Sequence, residues 1–362
     1  MKARILFYVT GHGFGHATRT VAVIDALRCL GPKELGAHVR TSAPHWLFTD
    51  DDPATVCSSA DLDVGMIQKN GIDTDLPASL AAHRRLGERW DLLLEEESAF
   101  IKSVAPSVVV ADVPALPCAA ARRCGVPAIA MSNMSWDWIL EPYAEADPAW
   151  RPVVERYAGA YAEATALLRM PLHGDLPAFR TVIDVGLVVR EARSPRREVR
   201  RRLGLRPEDP RRMVLVSFGG FGSGIRETTA GEDLSGFFFV GFAPKPSGLK
   251  AEWRALPTRT PMRHIDLVAA SDVMIGKPGF GTVAEALAHR VRMLYLDRPG
   301  YREIPALTEG LELHGCARPI PREDFFAGRW RAHLEALLEM KDFGSPLAAD
   351  GAEAIARHLL AA

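Results

Sequence analysis

The apolar residues of this chain fall into short unbroken runs separated by amphipathic stretches, a pattern of buried strands alternating with helices. "RILFYVT" (4–10) predicts a first strand, and "ATRTVAVIDALRCLG" (17–31) a first helix closed by Gly31. "AHVRTSA" predicts a second strand. A helical period runs through "HRRLGERWDLLLEEESAFIKSVA" into "SVVVADV", a further buried strand. "LPCAAARRCG" predicts a short helix ended by Gly125, and "PAIAMSN" another strand. "RMVLVSF", "GFFFVGF" and "VRMLYLD" follow as strands, and "DLVAASDVMI" reads as one buried strand ending at Ile275. Such alternation predicts an α/β chain of parallel sheets flanked by helices, with ligands at the carboxyl ends of the strands. Proline, charge and irregular sequence collect at 181–197. That places a domain boundary there, giving Rossmann-like units at 1–188 and 189–349, with the helix 350–362 expected to pack back on the first.

The stretch "GKPGFGTVAE" (276–285) carries the clearest chemistry. It puts three glycines and Lys277 between an apolar run and a helix opening after Gly281. A strand, a glycine loop and a helix N-terminus make an anion site, because free N–H groups and the helix dipole point at the ligand. Thr282 is placed to cap that helix. Glu285, one turn in, can accept two ribose hydroxyls, so a nucleotide fits better than a bare phosphate. A related loop, "TGHGFGHATRT", sets Gly11, Gly13 and Gly15 between the first strand and helix. It is not a dinucleotide fingerprint. His16 stands where the third glycine of G-x-G-x-x-G belongs, and the next strand ends in Arg40 and Thr41 rather than an acid. His16 reads as a base or hydrogen-bond donor at the mouth of a cleft, or as a residue that only fixes the loop. His12 reads as a loop-stabilising or acceptor-facing residue.

Length and composition agree with two domains. A chain of 362 residues exceeds one ordinary core, and its 48% hydrophobic and 25% charged residues are those of a globular enzyme. A formal net charge of −1 gives no global attraction for nucleic acid or an anionic membrane. The basic run "RSPRREVRRRLGLRPEDPRRM" reads as a solvated helix and loop. Five cysteines without C-x-x-C spacing predict reduced thiols, a cytoplasmic location and no metal site. The acidic "TDDDP" and "DLD" segments read as surface loops. The N-terminal apolar run is too short for a signal peptide, and nothing approaches a membrane span.

"YVTGHGFGHATR", "SNMSWDWI", "LPAFRTVIDVGLVVR", "SFGG" and "AASDVMIGKPGFGTVAEAL" resemble the amino-terminal, glycosyltransferase-like half of plant-type L-arabinokinases, in the same order along nearly the whole chain. The galactokinase-like half of those proteins has no counterpart in these residues. The broader resemblance is to GT-B glycosyltransferases, including the peptidoglycan GlcNAc transferase and the UDP-sugar-dependent enzymes. It implies a GT-B fold: an N-terminal domain for the acceptor, a C-terminal domain for the nucleotide sugar, and one cleft between them.

The resemblance also implies roles. His16 matches the catalytic histidine position, and Asp112, ending "SVVVAD", matches the aspartate that orients it; an aspartate at a strand end is equally a helix cap. In the donor loop Lys277 stands where plant transferases have a diphosphate-binding histidine. Gly279 is kept, Phe280 replaces a tryptophan, and Gly281 an asparagine. Thr282 matches a hydroxyl donor to phosphate and Glu285 the ribose-binding glutamate. Tyr301, Arg302 and Glu303 replace the pair that grips sugar hydroxyls, which leaves Glu303 as a hydroxyl acceptor. "VLVSFGGFGSG" brings Gly219 and Gly220 toward the diphosphate or the reacting sugar, and "MRHIDLVAASD" offers Arg263 and His264 to the base, or as an exposed loop pair. On the acceptor side stand His12, Phe14, Arg19, Asn133, Trp136 and Asp137, the last also an alternative base; the tryptophans of "SNMSWDWI" can equally be core.

Together these imply an inverting, metal-independent transferase using a nucleotide sugar, UDP-linked, as substrate rather than any cofactor, and a small-molecule hydroxyl as acceptor. A nucleotide-sugar 2-epimerase or hydrolase, and a non-catalytic sugar-nucleotide-binding module, are the alternatives.

Overall fold

A computed structural model describes residues 4–69, 73–219, 225–296, 301–340 and 343–362. The first sheet contains β1 (Arg4–Val9), β2 (Gly36–Thr41), β3 (Val56–Ser59), β4 (Val108–Asp112), β5 (Ala128–Ser132), β6 (Ala166–Arg169) and β7 (Val182–Asp184). The second contains β8 (Arg212–Ser217), β9 (Asp233–Gly241), β10 (Lys250–Ala255), β11 (Val273–Gly276), β12 (Arg292–Leu296) and β13 (Ala317–Ile320). Their orders are β3-β2-β1-β4-β5-β6-β7 and β10-β9-β8-β11-β12-β13, and each pairing is parallel.

This order fixes where ligands go. In each sheet the chain runs outward one way and then back the other, so a crevice opens where the order reverses. The reversals fall between β1 and β4 and between β8 and β11. Val9 pairs with Asp112 at the first, and Ser217 with Gly276 at the second. The loops after these four strands are the glycine-rich segments and Asp112 of the sequence.

Helices cover both faces because central strands such as β4 and β5 are buried along their whole length. The helix Phe14–Leu30 shares one core with the helix Phe280–Ala288 and the final helix Gly351–Ala361, through Ala17, Val21, Val283, Leu287, Ile355 and Leu359. The last helix packs along the first. No helix among the described residues is long and apolar enough to cross a membrane.

Three local expectations differ from the structure. "DLVAASDVMI" is not one strand: His264–Ala270 is a helix, and only Val273–Gly276 is β11. An unbroken apolar run suits a buried helix as well as a buried strand, and Ser271 and Asp272 mark the break. Thr282 caps nothing, because the helix already begins at Phe280 with Gly279 as its N-cap. The edge strand β10, "KAEWRA", gave no apolar signal because it is mostly solvent-facing.

Candidate functional site

The first glycine loop turns sharply. Gly13 adopts φ 87°, a conformation open to glycine, and the helix starts at Phe14. That places His16 in the first turn, beside the end of β4. Its Nδ1 lies 2.8 Å from Asp112 Oδ1. Asp112 is fully buried and has four polar neighbours. Arg19 donates through Nε (2.8 Å) and Nη2, Thr20 donates its hydroxyl (3.1 Å), and His16 completes the set. Burial by itself would raise this carboxyl; the Arg19 guanidinium and His16 outweigh it and hold the group at about 2.

Arg19 is therefore not an acceptor-binding side chain. It is 3% exposed, donates to Asn133 Oδ1 at 3.2 Å, and lies 5.4 Å from the centre of the Phe280 ring. Its Nη2 also comes within 2.9 Å of His16 Nδ1, which makes the tautomer decisive. With hydrogen on Nδ1 the ring donates to Asp112 and Nε2 keeps a free lone pair. With hydrogen on Nε2 the guanidinium donates to Nδ1 and the outer nitrogen cannot accept a proton.

A second carboxylate organises the rest of this loop. Asp63 accepts from Thr10 Oγ1 at 3.0 Å and from Trp136 Nε1 at 3.0 Å. His12 Nε2 sits 3.3 Å from its backbone oxygen and 3.6 Å from Oδ1. The "DLD" segment is thus not a surface loop at Asp63, which is 4% exposed; burial of its neighbour Leu62 was the signal available. Trp136, 2% exposed, is core and presents no ring to a ligand. Asp137 is buried too, with Oδ1 unpartnered among the described residues and its carboxyl pushed up by burial. Asn133 Nδ2 reaches 3.5 Å from Glu303 Oε2, linking the two halves across the cleft. Arg302 donates to the Trp138 carbonyl at 2.6 Å.

The second glycine loop meets the first directly. A Cβ on Gly281 would lie 3.2 Å from the Gly15 Cα. Lys277 lies half-buried between β11 and the helix, Phe280 is buried, and Thr282 lines the cleft. Gly219, at φ 66°, follows β8, whereas Gly220 falls outside the described residues. Glu285 is flanked by two basic groups: Arg190 Nη2 at 3.3 Å and His264 Nδ1 at 3.2 Å. Burial opposes its charge, but His264 and Arg190 prevail and hold it at about 2. His264 Nε2 lies 2.9 Å from Ser217 Oγ, so the ring can donate to Glu285 through Nδ1 and accept from the serine. Ser217 closes the "VLVSF" run that the sequence places at the cleft, whereas Arg190 was not singled out. Arg190 lies in the irregular connector, where composition says boundary and nothing more.

Glu285, His264, Arg190, Ser217, Gly219, Gly281 and Thr282 line one cavity of about 210 Å³, to which Phe14, Gly15 and Trp46 contribute from the first half of the chain. The two halves are also tied at its margin. Asp50 pairs with Arg259 at 2.7 and 2.9 Å, and Asp51 with Arg263 at 2.9 Å. Two acids of "TDDDP", Asp50 and Asp51, thus pair with the second half of the chain, while Asp52 pairs with Arg28 of the first at 3.2 Å.

No family model matches the chain. It is 36% identical over 344 residues to the L-arabinokinase of Arabidopsis thaliana, covering 92% of this chain and 32% of that protein. The chain therefore spans about a third of that relative's length. Among solved structures it is similar to Phytolacca americana UGT2 in complex with UDP-2-fluoro-glucose and pterostilbene, with TM-score 0.61, 14% identity, and coverage of 99% of this chain and 94% of that one. It is similar to the same degree to the spinosyn forosaminyltransferase SpnP, with TM-score 0.60, 16% identity, and coverage of 99% and 95%.

Proposed function

We propose that the chain, which has the GT-B fold of its structural neighbours, moves a sugar from a UDP-linked donor to a hydroxyl of a small-molecule acceptor. The observation that carries this reading is the direct apposition of the two glycine loops, Gly15 against Gly281. It puts an imidazole–carboxylate couple on one side of the cleft and a helix N-terminus with a buried carboxylate one turn in on the other, the latter suited to the hydroxyls of a ribose. In the proposed step His16, oriented by Asp112, takes the acceptor proton on Nε2. The acceptor oxygen bonds to the anomeric carbon from the face opposite the departing diphosphate, so the configuration inverts. Lys277 and the N-terminus of the helix Phe280–Ala288 stabilise the charge that develops on the leaving group. Glu303 accepts a hydroxyl hydrogen of the donor sugar.

A calorimetric titration of UDP tests the donor half. Binding that Glu285→Ala abolishes supports it; no binding, or binding that Glu285→Ala leaves unchanged, refutes it. One observation favours a second reading, a sugar-nucleotide-binding module without turnover. Arg19 already compensates Asp112, which leaves less negative charge to stabilise an imidazolium at His16. UDP-sugar binding with no transfer and no hydrolysis would select that alternative.

A further inference from the structure

Trp46 begins a single helical turn, Trp46–Thr49, that belongs to the first half of the chain. Its ring meets Phe14 edge-on, 5.8 Å between centres. Yet it lines the same cavity as Glu285 and His264, together with Phe242, Trp253 and Met262 of the second half. The turn is fastened there by the two residues that follow it, Asp50 to Arg259 and Asp51 to Arg263. Two further pairs have the same polarity, an acid from the first half and an arginine from the second: Asp25 with Arg193 at 3.1 Å and Asp73 with Arg322 at 2.9 Å. The half-buried indole is thereby held over a cavity whose other wall carries the ribose carboxylate.

We infer that Trp46 is a nucleotide-binding residue, supplying from the amino-terminal half an aromatic wall for the base of a nucleoside diphosphate. The inference rests on the reading of residues 276–285 as the nucleotide site, and adds that the second half alone does not complete it. An aromatic ring offers any base a stacking face, and the ion pairs spare the ring the cost of being ordered when the ligand arrives. The Asp50–Arg259 pair is exposed enough to be screened by salt.

The test is UDP titration of the full chain by calorimetry, in wild type, Trp46→Ala, Trp46→Phe, and the double variant Asp50→Asn with Asp51→Asn. Trp46→Ala is expected to weaken UDP binding roughly 10-fold, and Trp46→Phe to restore it to within about 3-fold of wild type. The double variant is expected to lose roughly 3-fold and to bind UDP with a shallower dependence on salt than wild type. It leaves the ring itself in place, so it stays informative if Trp46→Ala misfolds. Wild-type affinity in both Trp46→Ala and the double variant would overturn the inference while leaving the donor site standing. A wild-type chain that binds none of UDP, GDP, ADP and dTDP would instead remove the donor site, and this wall with it.

Discussion

The two halves of the cleft solve one problem in two ways. Asp112 and Glu285 are both buried, both flanked by an arginine and a histidine, and both held at about 2. They differ in what remains unused. Asp112 receives three hydrogen bonds from Arg19 and Thr20 and a fourth from His16 in its Nδ1–H tautomer, which together fill the acceptor positions of a carboxylate. It can act only through His16. Glu285 receives two, one on each oxygen, and keeps a lone pair on each for a ligand. One carboxylate is used up in supporting a ring; the other keeps acceptor positions open beside the cavity.

Separate loss of catalysis and of binding is the sharpest break of this comparison. Asp112→Asn is expected to cost roughly 10²–10⁴ in kcat, because the amide cannot hold the Nδ1–H tautomer, while UDP affinity stays at the wild-type value. Equal loss of both would make Asp112 a merely structural residue. Acid should next touch both groups alike. Their ordinary values are 3.8 and 4.5, and the native state lowers both, so their stabilisation is complete above those values and fades as pH falls toward 2. Urea midpoints should fall between pH 6 and pH 3, a window that removes roughly half of the stabilisation linked to each carboxylate, on the order of 1–2 kcal/mol; Asp112→Asn and Glu285→Gln should each flatten the profile. Glu285→Gln should weaken UDP roughly 10- to 30-fold in calorimetry, the weight of about 2 kcal/mol, with UDP-saturated kcat less affected. The smallest effect belongs to Ser217→Ala, which removes the partner of His264 Nε2: roughly a 3-fold loss of UDP affinity.

Much of this was legible in the sequence. Runs such as "SVVVAD" and "RMVLVS" are buried on both faces, so hydrophobicity alone marks them as central strands, and their ends give the site its position. The glycine loops were legible for the same reason: only a sharp turn between strand and helix needs them. Long-range polar pairing was not legible. Arg19 looks like any helix arginine until β4 brings Asp112 beside it, 93 residues away. Asp63 looks like a loop acid until Thr10 and Trp136 close over it. Glu285 was read as a ribose acceptor, but its setting between Arg190 and His264 depends on a connector with no periodicity. Tryptophans misled in the opposite sense: a ring beside polar residues can be a binding face or a packed core, and Trp136 is core whereas Trp46 lines the cavity.

The apposed glycines act as a gauge of the gap between the halves, and the gauge is one-sided. A methyl group added at Gly15 would rest 3.9 Å from Gly281, an ordinary contact, whereas one added at Gly281 would press to 3.2 Å on the Gly15 backbone. Alanine at the second position must wedge the two loops apart by a few tenths of an ångström; alanine at the first need not. The spacing of the two loops is therefore set at residue 281 by the absence of a single carbon, and the cleft has a built-in minimum width that a methyl group there would increase.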